Sequence, residues 1–175
     1  QATEHLEKIL EDLKSEESPY ADDTQRIAVA GRGCALGDYT ILNILEESGG
    51  VAVTEMFDEG VMHLNPIKTN GDALDNLAEG YYLDRLHSCL FNPSFDERWK
   101  YMNGQLDEYK VDGLLYYQLA FDVIYDYEWP IFAKRAEGRK TPFQEVESGY
   151  DISREATGPL RTRIESFIGV CKGGA

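Results

Sequence analysis

Cysteine is scarce in this 175-residue chain, and what there is lies scattered: Cys34, Cys89 and Cys171 are odd in number and far apart. That pattern speaks against the disulfide framework of a small secreted domain. With no CxxC and no Cys/His cluster at zinc spacing, it also speaks against a self-contained metal site. A reducing, cytoplasmic setting is the expectation. Basic residues are short as well, 17 Lys and Arg against 32 Asp and Glu, for a net charge of −15. Nucleic-acid affinity depends on Lys and Arg displacing counterions from phosphates, so neither nucleic acid nor an anionic membrane surface is an expected partner. No apolar run approaches the roughly 18 residues of a membrane span. The opening QATEHLEKIL has neither the basic nor the apolar segment of an export signal. A start at Gln rather than Met leads to the expectation of a fragment, a processed product or one piece of a longer polypeptide.

What is present is enough for one core: 42% of the residues are apolar and 11% aromatic. Leu6, Ile9, Leu10 and Leu13 at helical spacing predict an amphipathic helix, and SEESPYADD after it reads as a connector. Residues 1–24 are therefore expected to be a helix and linker, and residues 25–175 an α/β domain. Strands are predicted near residues 26–30, 51–54, 112–119 and 142–147, with helices over residues 73–86, 96–109, 127–137 and 157–170 and at Ile41, Leu42, Ile44 and Leu45. Strands alternating with helices predict an open, parallel four-stranded sheet with helices on both faces and right-handed crossovers. The expected order is the flavodoxin/Rossmann-like 2-1-3-4, with the switch point between strands one and three.

The stretch VDGLLYYQLAFDVIYDYE, residues 111–128, organises this arrangement. Its first half is apolar and aromatic, as a strand buried on both faces should be. Its second half gathers Asp122, Tyr125, Asp126 and Glu128 where the strand opens into a loop at the ligand-binding edge of such sheets. The plain alternative is a cluster of carboxylates compensating a helix dipole. The first strand runs into GRGCALGD, residues 31–38, whose glycines Gly31 and Gly33 allow backbone to approach an anion. Its spacing is one residue longer than the dinucleotide fingerprint, and Asp38 at the expected N-cap would repel phosphate, so a tight turn is the competing reading. The two loops are expected to share one crevice, with Cys34 and Asp122 on opposite lips and Tyr125 and Glu128 along the wall. His63 reads as a surface or packing residue and Cys89 as a small buried hydrophobe.

Five segments then point to a family: GRGCALGDYTILNILEESGGVAVTEMFDEG, EYKVDGLLYYQLAF, YDYEWPIF, TPFQEVESGYD and LRTRIESFI. In this order, across residues 25–170, the chain resembles the C-terminal domain of the 2-hydroxyacyl-CoA dehydratase and benzoyl-CoA reductase subunits. The resemblance implies related subunits working in pairs, iron–sulfur clusters of the [4Fe–4S] type between domains, acyl-CoA substrates and an electron from an ATP-dependent activator protein. The implied chemistry is radical and anaerobic. Within that frame Cys34 and Asp122 are the candidate cofactor-binding residues, and Gly31, Gly33, Tyr125 and Glu128 the candidate substrate-crevice residues. No catalytic residue is assigned.

The sequence departs from the family where a cluster cysteine is expected, since the loop after the third strand reads Ala120-Phe121-Asp122-Val123. A carboxylate is a harder ligand than iron–sulfur iron prefers. Pro159 also stands where the family tends to have glutamine. The cluster is therefore not expected to be held by this chain alone, and the other ligands would come from a homologous subunit or a missing N-terminal domain. Two functions follow: an enzyme component lining the cluster and substrate crevice, or a cluster-free structural or binding subunit paired with a catalytic homologue. A stand-alone flavodoxin-like binding domain is a third reading, opposed by Asp38.

Overall fold

The computed structural model describes residues 2–57, 60, 66–87, 94–149, 151 and 153–173. His63 and Cys89 lie outside the described residues. Four strands, β1 (Gln25–Gly31), β2 (Gly50–Phe57), β3 (Gly113–Leu119) and β4 (Phe143–Ser148), form one all-parallel sheet in the order β2-β1-β3-β4. This is the predicted topology. The helices are α1 (Ala2–Ser15), α2 (Thr40–Glu47), α3 (Ala73–Ala78, continuing into a π-helical turn at Glu79–Leu83), α4 (Phe95–Glu108), α5 (Val123–Arg139) and α6 (Arg154–Gly173). None of the described helices is long and apolar enough to cross a membrane.

Strand periodicity sorts the core into two layers, because successive side chains point to opposite faces. Ile27, Val29, Leu115, Tyr117 and Val146 pack with α2 and α6 through Ile41, Ile44, Leu45, Leu160, Ile164 and Phe167. Ala28, Ala30, Leu114 and Tyr116 face α4 and α5 through Met102, Leu106, Tyr125 and Phe132. The first layer is apolar. The second is laced with arginines from α4 and α5: Arg98 reaches Glu128, Arg135 reaches Asp96 and the Phe95 carbonyl, and Arg139 reaches Asp107 and Asn103. The α1 helix buries none of its residues, and its apolar stripe from Leu6 to Leu13 is exposed.

Three helices differ from expectation, and one of them, α6, runs from Arg154 to Gly173 against the predicted 157–170. The α5 helix begins at Val123, four residues before the predicted start, because the turn out of β3 is very short. Phe121 takes a left-handed φ of 70°, and the Asp122 carbonyl already accepts from the Tyr125 and Asp126 N–H groups. The helix predicted over residues 73–86 is α-helical only to Ala78 before it widens into the π turn.

Candidate functional site

The loop from β1 to α2 is built on a close approach of two strands. Gly31 has a φ of 101°, and a Cβ there would lie 2.2 Å from the Tyr117 carbonyl oxygen. That carbonyl accepts the Arg32 N–H at 2.8 Å. Glycine thus lets the end of β1 sit flush on β3 before the chain turns away. Tyr39, not Asp38, is the N-cap of α2, and the Asp38 carboxylate accepts the Thr40 N–H at 3.1 Å.

Beside this loop, at the carboxyl edge of the sheet, lies a cleft of about 550 Å³. Arg32, Gly33, Cys34 and Asp38 line it from the β1 loop, Tyr117 and Leu119 from β3, Phe57 from β2 and Gly149 from the end of β4. The Tyr117 hydroxyl and Ser148 Oγ are 3.0 Å apart and share a hydrogen bond across β3 and β4. Burial, and then the Asp38 carboxylate, raise the Cys34 pKa, so the sulfur is held as a thiol. Burial also raises the Tyr117 pKa, against the Ser148 hydrogen bond, and the group stays a neutral phenol. The cleft therefore offers a guanidinium, a thiol, a phenol and a carboxylate over apolar walls, the mixture that fixes the orientation of a small ligand. Two other hollows, against β2 and beside α4, have volumes of about 520 and 710 Å³ and lack this convergence of loops at the switch point.

The predicted site residues divide. Gly33 and Cys34 line the cleft, and Gly31 ends β1 just before it without being among the described lining residues. Asp122 is the half-buried N-cap residue of α5 at the same edge, makes no side-chain cap bond and is not among the described lining residues. Tyr125 and Glu128 lie in the layer between the sheet, α4 and α5, on the opposite face from Cys34. There Glu128 accepts from Arg98 Nε at 2.6 Å, from Arg98 Nη2 at 3.1 Å and from the Tyr116 hydroxyl at 2.5 Å. Sequence reasoning missed Arg32, Tyr117 and Ser148 as site residues. The alternation along β3 could have found Tyr117, which shares a face with Leu115 and Leu119 and sits near the carboxyl end.

A family model for the 2-hydroxyglutaryl-CoA dehydratase D-component matches residues 1–170. The chain belongs to this family. The match takes in α1 and its linker together with the α/β body, so the dehydratase D-component pattern covers both layers and every strand. No curated protein matches the chain. As a D-component relative, the chain falls among proteins that work with partner components.

The resemblance drawn from the sequence implies an iron–sulfur cluster. A [4Fe–4S] cluster is held by cysteine thiolates, commonly four. Cys34 lies at the carboxyl edge, whereas Cys171 packs against Gly113 at the amino end of β3, where a Cβ on Gly113 would meet its sulfur at 2.5 Å. The strand from Gly113 to Tyr117 alone spans roughly 13 Å. These two sulfurs cannot share one cluster. Burial, and then Asp112, push the Cys171 pKa up to about 11. Among the described residues no group of three or more His, Cys, Asp or Glu could hold a metal ion. The described residues do not fit a complete cluster, and Cys34 is the only described sulfur at the cleft.

Proposed function

We propose that this chain is one component of an iron–sulfur-dependent acyl-CoA dehydratase or aromatic acyl-CoA reductase, and that its cleft forms part of the substrate crevice. The family match over residues 1–170 carries this reading, and the position of the cleft at the switch point of the sheet supports it. Arg32 is the residue to hold an anionic or carbonyl oxygen of the thioester substrate, because its backbone is pinned to Tyr117 and its side chain borders the cleft. Phe57 and Leu119 supply the apolar wall for the acyl portion. Tyr117, held by Ser148, offers a phenol of fixed position. A homologous subunit or an N-terminal domain would supply what the cleft lacks, and an ATP-dependent activator would deliver the electron.

In the assembled complex, Arg32→Gln is expected to weaken binding of an acyl-CoA substrate roughly tenfold by calorimetric titration while leaving the melting temperature unchanged. Unchanged affinity would place the substrate elsewhere.

The alternative, a cluster-free subunit that pairs with a catalytic homologue, is favoured by the absence of cysteine from residues 120–123 and by the separation of Cys34 from Cys171. On either reading, the chain purified alone and reconstituted anaerobically with iron and sulfide is expected to hold substoichiometric amounts of both. In the assembled complex, substitution of Cys34 by serine separates the two. Loss of the cluster absorption band supports the first reading, and an unaltered band supports the second.

A further inference from the structure

Phe121 is the least economical residue at the carboxyl edge. Its backbone is left-handed, with a φ of 70°, and its side chain is 94% exposed. The turn from β3 into α5 requires that conformation, since the Ala120 N–H donates to the Ser148 carbonyl and the Val123 N–H to the Phe121 carbonyl. Glycine would make the same turn without strain and without presenting a ring to water. Within this chain, then, a bulky aromatic at residue 121 brings steric strain and apolar exposure together.

The surroundings extend the patch. Val123 and Tyr127, one helical turn apart on α5, are 58% and 72% exposed. Carboxylates are interleaved with these side chains, Asp122 next to Phe121 and Asp126 next to Tyr127. Gln118 is 2% exposed, and its amide donates to Asp126 at 2.8 Å, which fixes that carboxylate in place. Across residues 32–39 and 120–128, Arg32 is the only basic side chain. An apolar centre with a charged rim is the anatomy of a protein interface, and aromatic residues are its common anchors.

We infer that Phe121, flanked by Val123 and Tyr127, anchors this chain in an apolar socket bordered by Lys and Arg on another component of its assembly. The inference rests on the proposal that the chain is such a component. A second copy of this chain is the wrong occupant, because two identical acidic rims would face each other in molecules that each carry a net charge of −15. Acidity also disfavours an anionic membrane.

The experiment places a benzoyl-phenylalanine photocrosslinker at residue 121 of the full chain in its native complex and maps the crosslinked peptide. Affinity of the chain for the crosslinked protein is then measured with Phe121→Gly and Asp126→Lys. The expected result is a crosslink to a different polypeptide at an apolar site with nearby Lys or Arg. Phe121→Gly should weaken the affinity roughly 30-fold. Asp126→Lys should weaken it and reduce its dependence on salt. Because glycine suits the left-handed turn, Phe121→Gly should melt no lower than the parent chain, which separates lost docking from lost folding. A crosslink to a second copy or to lipid would overturn the inference, as would an affinity unchanged by Phe121→Gly. If the mapped partner has the stated socket but is no part of a dehydratase or reductase, the anchor stands and the functional proposal falls. If a dehydratase complex assembles with undiminished affinity in the variant, the reverse holds.

Discussion

Glu128→Ala is expected to lower the unfolding free energy by about 3–5 kcal/mol, read as an earlier midpoint in urea with an unchanged slope. The side chains of Arg98 and Glu128 are fully buried, and the carboxylate is the shared acceptor of a guanidinium from α4 and a phenol from β3. Removing it takes the shared carboxylate away from a buried cation and a buried hydroxyl, which costs far more than the intact pair contributes. The double variant Arg98→Met, Glu128→Leu removes both charges together and is expected to recover most of the loss. A single variant costing under about 1 kcal/mol would mean that water enters the layer and solvates Arg98. Because this cluster ties α4, β3 and α5 together away from the cleft, activity of the assembled complex should fall with the folded fraction, with no change in substrate affinity among the molecules that remain folded.

Gly31→Ala should be comparably severe, for a different reason. The added methyl would sit 2.2 Å from the Tyr117 carbonyl oxygen, which is backbone of the central strand and cannot turn aside, and φ at this position is 101°. Overpacking and a backbone conformation hostile to alanine act together, for an expected loss of about 3 kcal/mol or more. Gly37→Ala separates the two effects. Gly37 has a φ of 90° but no atom within 4 Å of the added methyl, so it should lose only the roughly 1 kcal/mol of backbone strain. Thermal melts of both variants check the difference. Similar losses would show that β1 and β3 move apart cheaply.

The strand order was legible because β1 and β3 are bounded, nearly unbroken apolar runs separated by helical patterns, and right-handed crossovers leave few arrangements for such a chain. The β1 loop could be placed at the carboxyl edge of the sheet for the same reason: a loop leaving the carboxyl end of β1 has to be there. The fates of Tyr125 and Glu128 were not legible. Their place depended on where α5 begins, and the start was hidden in the left-handed Phe121, a conformation that sequence patterns seldom assign to phenylalanine. Once the helix starts at Val123, Tyr125 and Glu128 lie three apart on its inner face, and Glu128 meets an arginine 30 residues away. A carboxylate among aromatics looks the same in sequence whether it waits for a ligand or neutralises a buried guanidinium.

The position of β1 between β2 and β3 also sets an order of events in folding. Its pairing with β2 closes a short stretch of chain, Gln25 meeting Gly50, whereas its pairing with β3 brings Ile27 to Gly113 and closes a loop more than three times as long. Loop closure of the second kind is slower, so the β1–α2–β2 unit is the natural first piece and the β3–β4 half docks on it afterwards. The cleft straddles that seam: Arg32, Cys34 and Phe57 belong to the early unit, and Tyr117, Leu119 and Gly149 to the late one. A nascent chain that has not yet released β3 holds half the cleft, and the cleft comes into being only with the last long-range pairing of the sheet.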